Sequence, residues 1–370
     1  MILEYLLKTY NSSLLKIDQF TNRKNWKVEL TLIIPFIVLF FSFPSYEYMF
    51  DESMTNWKHL LEQAAHPFSQ NNYAPDTHQS KMTFRLFGPV LIRVFHLNII
   101  SITILQMLAG TLMVYFFIKA TLSITNNKVA TVLLTFAFAC TSICTSPFTD
   151  ILGYLDGFAL FFLIIPFAFT NPIFIFLGVF LAGWVDERGL IATSLIFIWT
   201  AFIQKDKKII NTIAVVLAWI SYFFIRIMIA WKYNLTTHTG GINFSNQLNN
   251  APLGIWTGLE GFWVIILLSV LILCKTRKKI IAAFFASSIG IIMLVALSVV
   301  DITRSMIYLF PAIFISLIVI KNVENEKNLI HIATVVLLLC VLFPQLSAGG
   351  YNFVNWQYPF PIQMLRYLTQ

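Results

Sequence analysis

Long apolar runs separated by short polar stretches recur from residue 29 to residue 345, more apolar surface than one water-soluble core can bury. They fall near 29–46, 98–118, 128–145, 151–169, 172–185, 189–203, 209–231, 256–274, 280–300, 305–320 and 329–345. At about 1.5 Å of helical rise per residue, the longer runs cross a hydrocarbon core about 30 Å thick and the shorter ones only part of it. The chain is 58% hydrophobic and 11% charged; a soluble domain carries about 25% charged residues. Lipid is therefore its main solvent. The expected fold is an all-α polytopic membrane protein of about 11 transmembrane helices in one domain, 29–345. A cytoplasmic segment precedes it at 1–28 and an outer tail follows at 346–370.

Basic clusters set the expected orientation. Arg23, Lys24 and Lys27 precede the first run, Lys205 to Lys208 follow the sixth, and "KTRKK" at 275–279 follows the eighth. Alternating segments put all three on one side, which then holds 16 Lys/Arg against 6 Asp/Glu, leaving 9 basic and 11 acidic residues opposite. Positive charge marks the cytoplasmic side, so the N-terminus is expected inside and the C-terminus outside. Read this way, the net charge of +8 reports topology and implies no nucleic-acid partner. No cleavable leader is expected, because the first 28 residues mix polar and apolar types. Cys140, Cys144, Cys274 and Cys340 lie in apolar runs without disulfide or metal spacing.

Charges inside the apolar layer are the functional signal, because each is costly at membrane depth. In "GWVDERGLIATS", Asp186, Glu187 and Arg188 are the only formal charges between Pro172 and Ile203. The runs on either side are too short to cross alone and read as a helical hairpin with the charges at its tip. Gly183 and Gly189 bracket that tip and allow a tight turn. Irregular backbone at depth needs protein or water around it, so the charges are expected to line an outward-facing cavity. Other charges enter from the same side: Asp51 and Glu52 after the first run, Asp150 and Asp156 in "FTDILGYLDGF", Arg226, Glu260, and Asp301 with Arg304 in "VVDITRS". Inner halves of the runs carry essentially none.

Two outer loops are long. The first, 46–87, contains "ESMTNWKHLLEQAAH" with helical spacing of Met54, Trp57, Leu60, Leu61 and Ala64, expected to lie in the interface. "KMTFRLFGPVLIRVFHL" is a second amphipathic segment, interrupted at Gly88-Pro89. The second long loop, 232–255, is rich in Asn, Gly and Thr and carries His238, a candidate acceptor contact on a lid.

A first span followed by an acidic pair, then two interfacial helices before the second span, resembles the GT-C class of integral-membrane glycosyltransferases. "GYLDGFALFFLIIPF" and "LAGWVDERGLIA" are similar to stretches in bacterial multi-spanning sugar transferases. The layout covers most of the first 210 residues; members of that class often carry a soluble domain after the membrane part, and here about 25 residues follow the last run. The resemblance implies a polyprenyl-phosphate sugar donor, a glycan or lipid acceptor, and transfer on the non-cytoplasmic face. It makes Asp51, with Glu52 beside it, the catalytic base candidate. Chemistry assigns the donor phosphate to Arg304, Arg188 and Arg226, since the guanidinium fork binds phosphate bidentately. Asp156, Asp186, Glu187, Asp150, Asp301, Glu260 and His238 are left to hold the acceptor or orient the arginines. A Mg or Mn ion at the acidic cluster fits carboxylate oxygens, with metal dependence left open.

Three other readings compete. A transporter or flippase of a lipid-linked sugar would place its site near the midplane at an internal repeat. A polysaccharide polymerase or ligase would use arginine-rich outer loops. A non-enzymatic assembly partner would pair its buried charges internally and leave no open cavity. The composition of the spans points to a bacterial cytoplasmic membrane, although Asn234-Leu235-Thr236 would be a glycosylation acceptor in a eukaryotic lumen.

Overall fold

The computed structural model describes residues 2–50, 56–69, 79–236, 247–343, 345–349 and 354–369. In chain order the helices are α1 (Ile2–Thr21), α2 (Trp26–Phe41), α3 (Trp57–Ala65), α4 (Phe87–Phe95), α5 (Ile99–Thr125), α6 (Lys128–Ala139), α7 (Ser142–Thr149), α8 (Asp156–Ala168) and α9 (Pro172–Val185). They continue with α10 (Glu187–Ile198), α11 (Lys208–Tyr233), α12 (Ala251–Leu259), α13 (Phe262–Lys275), α14 (Lys279–Ser298), α15 (Ile302–Met306), α16 (Phe310–Lys321) and α17 (Glu326–Leu342). Strands β1 (Leu346–Ala348) and β2 (Val354–Trp356) and a last helix, α18 (Phe360–Thr369), complete the chain.

Polar residues at the ends of the apolar runs set the helix boundaries. Asn98, Asn127, Asn171, Asp186 and Asn325 each accept a backbone N–H from the first turn that follows, satisfying donors that have no partner within the helix. His96, Asn126 and Asn234 close α4, α5 and α11 in the left-handed conformation. Phenylalanines fill the centre. Phe117 stacks on Phe138 with ring centres 4.2 Å apart, and Phe310 and Phe314 pack around them. The stretch Ile302–Lys321, which joins α15 to α16, is 89% buried and forms the middle of the bundle.

The expected 11 spans are corrected. Four helices are long and apolar enough to cross a membrane: α5, α11, α14 and the Ile302–Lys321 stretch. Two bent pairs, α6–α7 at 56° and α12–α13 at 90°, bring the number to six if each pair is one span. Helices α2, α8, α9, α10 and α17 occupy the remaining runs with 16, 13, 14, 12 and 17 residues. They reach only about 18 to 26 Å, short of a core about 30 Å thick. The chain is thus an all-α protein with several membrane-compatible helices and a set of partial ones packed among them.

Helices α9 and α10 are joined by Asp186 alone, whose backbone is extended at φ −154°. The expected role of the two flanking glycines is corrected, because both are helical and neither has positive φ. A Cβ on Gly189 would lie 2.6 Å from the carbonyl oxygen of Ala182, and one on Gly183 would lie 3.1 Å from the Tyr222 ring. Their absent side chains permit close helix approach instead of a turn.

The interruption at Gly88-Pro89 becomes the first turn of α4, where proline's missing N–H costs nothing. The segment after α17 folds back over the helices. Ala348 donates its N–H to Thr303 Oγ1 at 2.8 Å, Phe43 donates to the Tyr358 carbonyl at 3.0 Å, and Gln363 Nε2 donates to Ser45 Oγ at 2.7 Å.

Candidate functional site

The site starts with the loop between α7 and α8. Asp150 accepts backbone N–H bonds from Leu152, Gly153, Tyr154 and Leu155 at 2.7–3.2 Å, so one carboxylate organises the whole turn. Burial and then the neighbouring charge of Asp156 push its carboxyl up from the ordinary range, while the N–H bonds pull the other way. Gly153 takes φ +77° with the Trp57 ring against it, and the Trp57 indole donates to the Ile151 carbonyl at 2.9 Å. This clamps α3 onto the turn. The turn in turn sets Asp156 as the first residue of α8 and Tyr154 beneath the Arg304 guanidinium, 3.5 Å from its ring centre.

Eight charged side chains then form an alternating ladder across five parts of the chain. Arg226 meets Glu187 at 3.5 Å, and Glu187 meets Arg85 at 3.1 Å. Arg85 contacts Asp186 at 2.7 Å, an ion pair too bent to count as a hydrogen bond. Arg188 grips Asp186 with its fork, at 2.9 Å through Nε and 2.7 Å through Nη2, and reaches Asp156 at 3.4 Å. Asp156 is held by Arg304 through both Nε and Nη2, and Arg304 reaches Asp301 at 3.3 Å. Neutral groups fill the remaining valences: Tyr308 donates to Asp156 at 2.7 Å, Arg188 to Ser305 at 2.9 Å and Arg226 to Tyr222 at 2.6 Å.

Four arginines therefore face four carboxylates, and the formal charges cancel. Asp186 is fully buried, and Asp156 and Arg188 are nearly so. Alternation makes that burial tolerable, since an unpaired ion in the same place would carry the full desolvation cost. The rungs differ in access. Side chains of Glu187 and Arg226 are 32% and 21% exposed, against 0% and 3% for Asp186 and Asp156.

Among the described residues, the space beside the ladder is small. Arg85 and Tyr154 line a cavity of about 10 Å³, room for about one water. The charges satisfy each other instead of lining a chamber. The buried ladder carboxylates have no oxygens left over for a metal ion. Asp156 and Asp186 already face arginines with both oxygens, and no group of three or more His, Cys, Asp or Glu suited to a metal forms among the described residues.

Of the residues singled out in the sequence, Asp156, Asp186, Glu187, Arg188, Arg226, Asp301 and Arg304 come together. Asp150 positions the turn beside them. Glu260 stands apart, fully buried at the break between α12 and α13 with no ladder residue bonded to it. Asp51, Glu52 and His238 lie outside the described residues. The structure also reorders the arginines, because the guanidinium of Arg188 is committed to Asp186, Asp156 and Ser305 and has no free edge for a ligand. Sequence reasoning missed Arg85 as a ladder member, and Tyr308, Ser305 and Tyr154 as its neutral partners. Tyr308 stands four residues after Arg304, a spacing that shares a helix face and was available from the sequence. Comparison of the chain with family models, curated proteins and solved structures finds no match.

Proposed function

We propose that the chain is a membrane glycosyltransferase that moves a sugar from a polyprenyl-phosphate-linked donor to a glycan or lipid acceptor on the membrane face bearing α3 and α4. One observation supports it: the arginine ladder ends on a helix whose exposed face is apolar. Arg226 sits on α11 among the exposed Phe223, Phe224 and Ile227. A phosphate carried on a lipid tail arrives at such an edge, and paired guanidiniums match its oxygens. Docking there displaces the Glu187 carboxylate from Arg85 and Arg226, while Asp186 keeps Arg85 in place and the Tyr222 hydroxyl keeps Arg226.

In the reaction, an acceptor hydroxyl oxygen attacks the anomeric carbon and the bond from that carbon to the phosphate oxygen breaks. The phosphate leaves with the bonding pair, and the hydroxyl proton passes to Asp51 as general base. Direct displacement inverts the anomeric centre. The ladder's complete internal pairing favours a second reading, a membrane scaffold that needs no ligand.

Binding of a polyprenyl phosphate to the purified full chain in detergent separates the two. The transferase reading expects binding by the wild type, weaker binding by Arg226→Ala and tighter binding by Glu187→Gln, which removes the competing carboxylate. No binding of any polyprenyl phosphate by the wild type removes this reading and leaves the scaffold.

A further inference from the structure

Glu260 is an acidic residue of the apolar layer that the ladder does not absorb, and its surroundings differ in kind. It joins α12 to α13, where the axis turns by 90°. Its backbone has φ +48° and ψ −125°, a conformation that side chains other than glycine rarely adopt. The backbone groups are satisfied, the N–H by the Trp256 carbonyl at 2.7 Å and the carbonyl by the N–H of Trp263 at 3.1 Å. The side chain is 0% exposed, and neither carboxyl oxygen has a hydrogen-bond partner.

Packing at the joint is tight. A Cβ on Gly258 would run into Met306, and one on Gly261 would run into the Val336 carbonyl and lie 3.0 Å from Cys340 Sγ. Gly254 meets Ile302 in the same way at 2.6 Å. The joint is thus clasped between α15 and α17, with no room for a methyl group. The titratable groups that face Glu260 are the thiols of Cys140, just beyond α6, and Cys340, on α17. No ion pair reaches it from any described element. Cys340 Sγ packs against Gly261, just before α13, 3.0 Å from where a Cβ on that glycine would stand.

An ionised carboxylate in this place would face a desolvation penalty of several kcal/mol with nothing to offset it. A metal ion would need several oxygen donors and the volume to hold them, and the joint supplies neither. The proton is the one cation that needs no space. We propose that the α12–α13 joint is a proton-binding site with Glu260 as its acceptor, neutral in the conformation described here and exchanging H⁺ with water when α12 separates from α15.

The strained joint supplies the two-state element. Once the proton leaves for water, the carboxylate has no donor within the closed joint, so ionisation favours parting of the joint and breaks the packing of Cys340 against Gly261. Losing those contacts frees the Cys340 thiol. Ionisation of Glu260 and exposure of Cys340 are therefore the same event. This inference stands independently of sugar transfer.

Two readouts on the full chain in detergent test it. Infrared spectra at neutral pH should show a carboxylic-acid C=O band that Glu260→Gln removes. Alkylation of Cys340, resolved by peptide mass and normalised to the exposed Cys274, should rise with pH in the wild type and lose that rise in Glu260→Gln. If that variant does not fold, Glu260→Asp should shift the same band. No acid band assignable to Glu260 overturns the proposal, because the group is then ionised. An acid band with identical Cys340 profiles in both proteins also overturns it, leaving a buried acid that merely fills space.

Discussion

The alternating ladder predicts that the cost of removing a charge depends on its rung. Asp186 sits between Arg85 at 2.7 Å and Arg188 at 2.7 Å and is fully buried. Asp186→Ala strands two guanidiniums at once, although Arg188 keeps Asp156 at 3.4 Å and Arg85 keeps Glu187 at 3.1 Å. Removing one partner of a buried ion pair costs about 3–5 kcal/mol, a large share of the roughly 5–15 kcal/mol that holds a typical domain together. Asp301 ends the ladder with 37% of its side chain exposed and one guanidinium partner, so Asp301→Ala should cost below about 1 kcal/mol, the range of solvated pairs. Glu187→Ala, on a rung that is 32% exposed, should fall between them. Chemical denaturation of the three variants in one detergent, followed by tryptophan fluorescence, gives the order. The reasoning fails if Asp186→Ala and Asp301→Ala cost the same, or if Asp186→Ala costs below about 1 kcal/mol, because buried pairing would then contribute no more than a surface contact.

Other expectations follow from single contacts. Gly153→Ala places a Cβ 2.9 Å from the Trp57 ring at φ +77°, so it should destabilise by about 1–3 kcal/mol; Trp57 fluorescence in thermal melts reports the loss. Burial holds the His59 imidazole below its ordinary value, with Glu62 pulling weakly upward. The unfolded chain then binds the proton more readily than the folded one, so stability should fall as pH drops below about 6.5. His59→Gln should flatten that slope, and an unchanged slope would assign it to another group. On the proposed transferase reading, Asp51→Asn should abolish sugar transfer from a polyprenyl-phosphate donor while leaving donor binding near wild type. Loss of both together would make Asp51 a binding group and remove it as the base.

The apolar runs located the helices, and the cost of charge in lipid pointed to most ladder members one by one. The pairing was not legible, because it depends on helix phase and on which helices meet. Arg85 illustrates this: in "KMTFRLF" it reads as one solvated charge on an amphipathic segment, yet it bridges Glu187 and Asp186 across about 100 residues of chain. Glu260 failed in the opposite direction. Its position on the same side as the other acids implied membership of one site, whereas the 90° break turns it into a separate apolar pocket. The glycines beside Asp186 looked like turn formers because sequence shows small size but not φ. The span count failed for a related reason, since an apolar run of 13 residues reads alike whether it crosses lipid or packs against neighbours that do.

The ladder also has a consequence in time. Asp156 precedes Arg304 by 148 residues, so α8 enters the membrane long before the guanidinium that holds it has been synthesised. Until then Asp156 has Arg188, 32 residues on, as its one cationic neighbour, and Arg188 is itself gripped by Asp186. The first ten helices therefore leave the ribosome with a surplus carboxylate facing an unfinished bundle. Insertion of α11 evens the count with Arg226, and insertion of α15 and α16 then brings Arg304 to the Asp156 carboxylate and completes the centre of the bundle. A chain stopped before residue 304 should be recognised by the cell's membrane quality control as unfinished, even though most of its apolar runs are already in place.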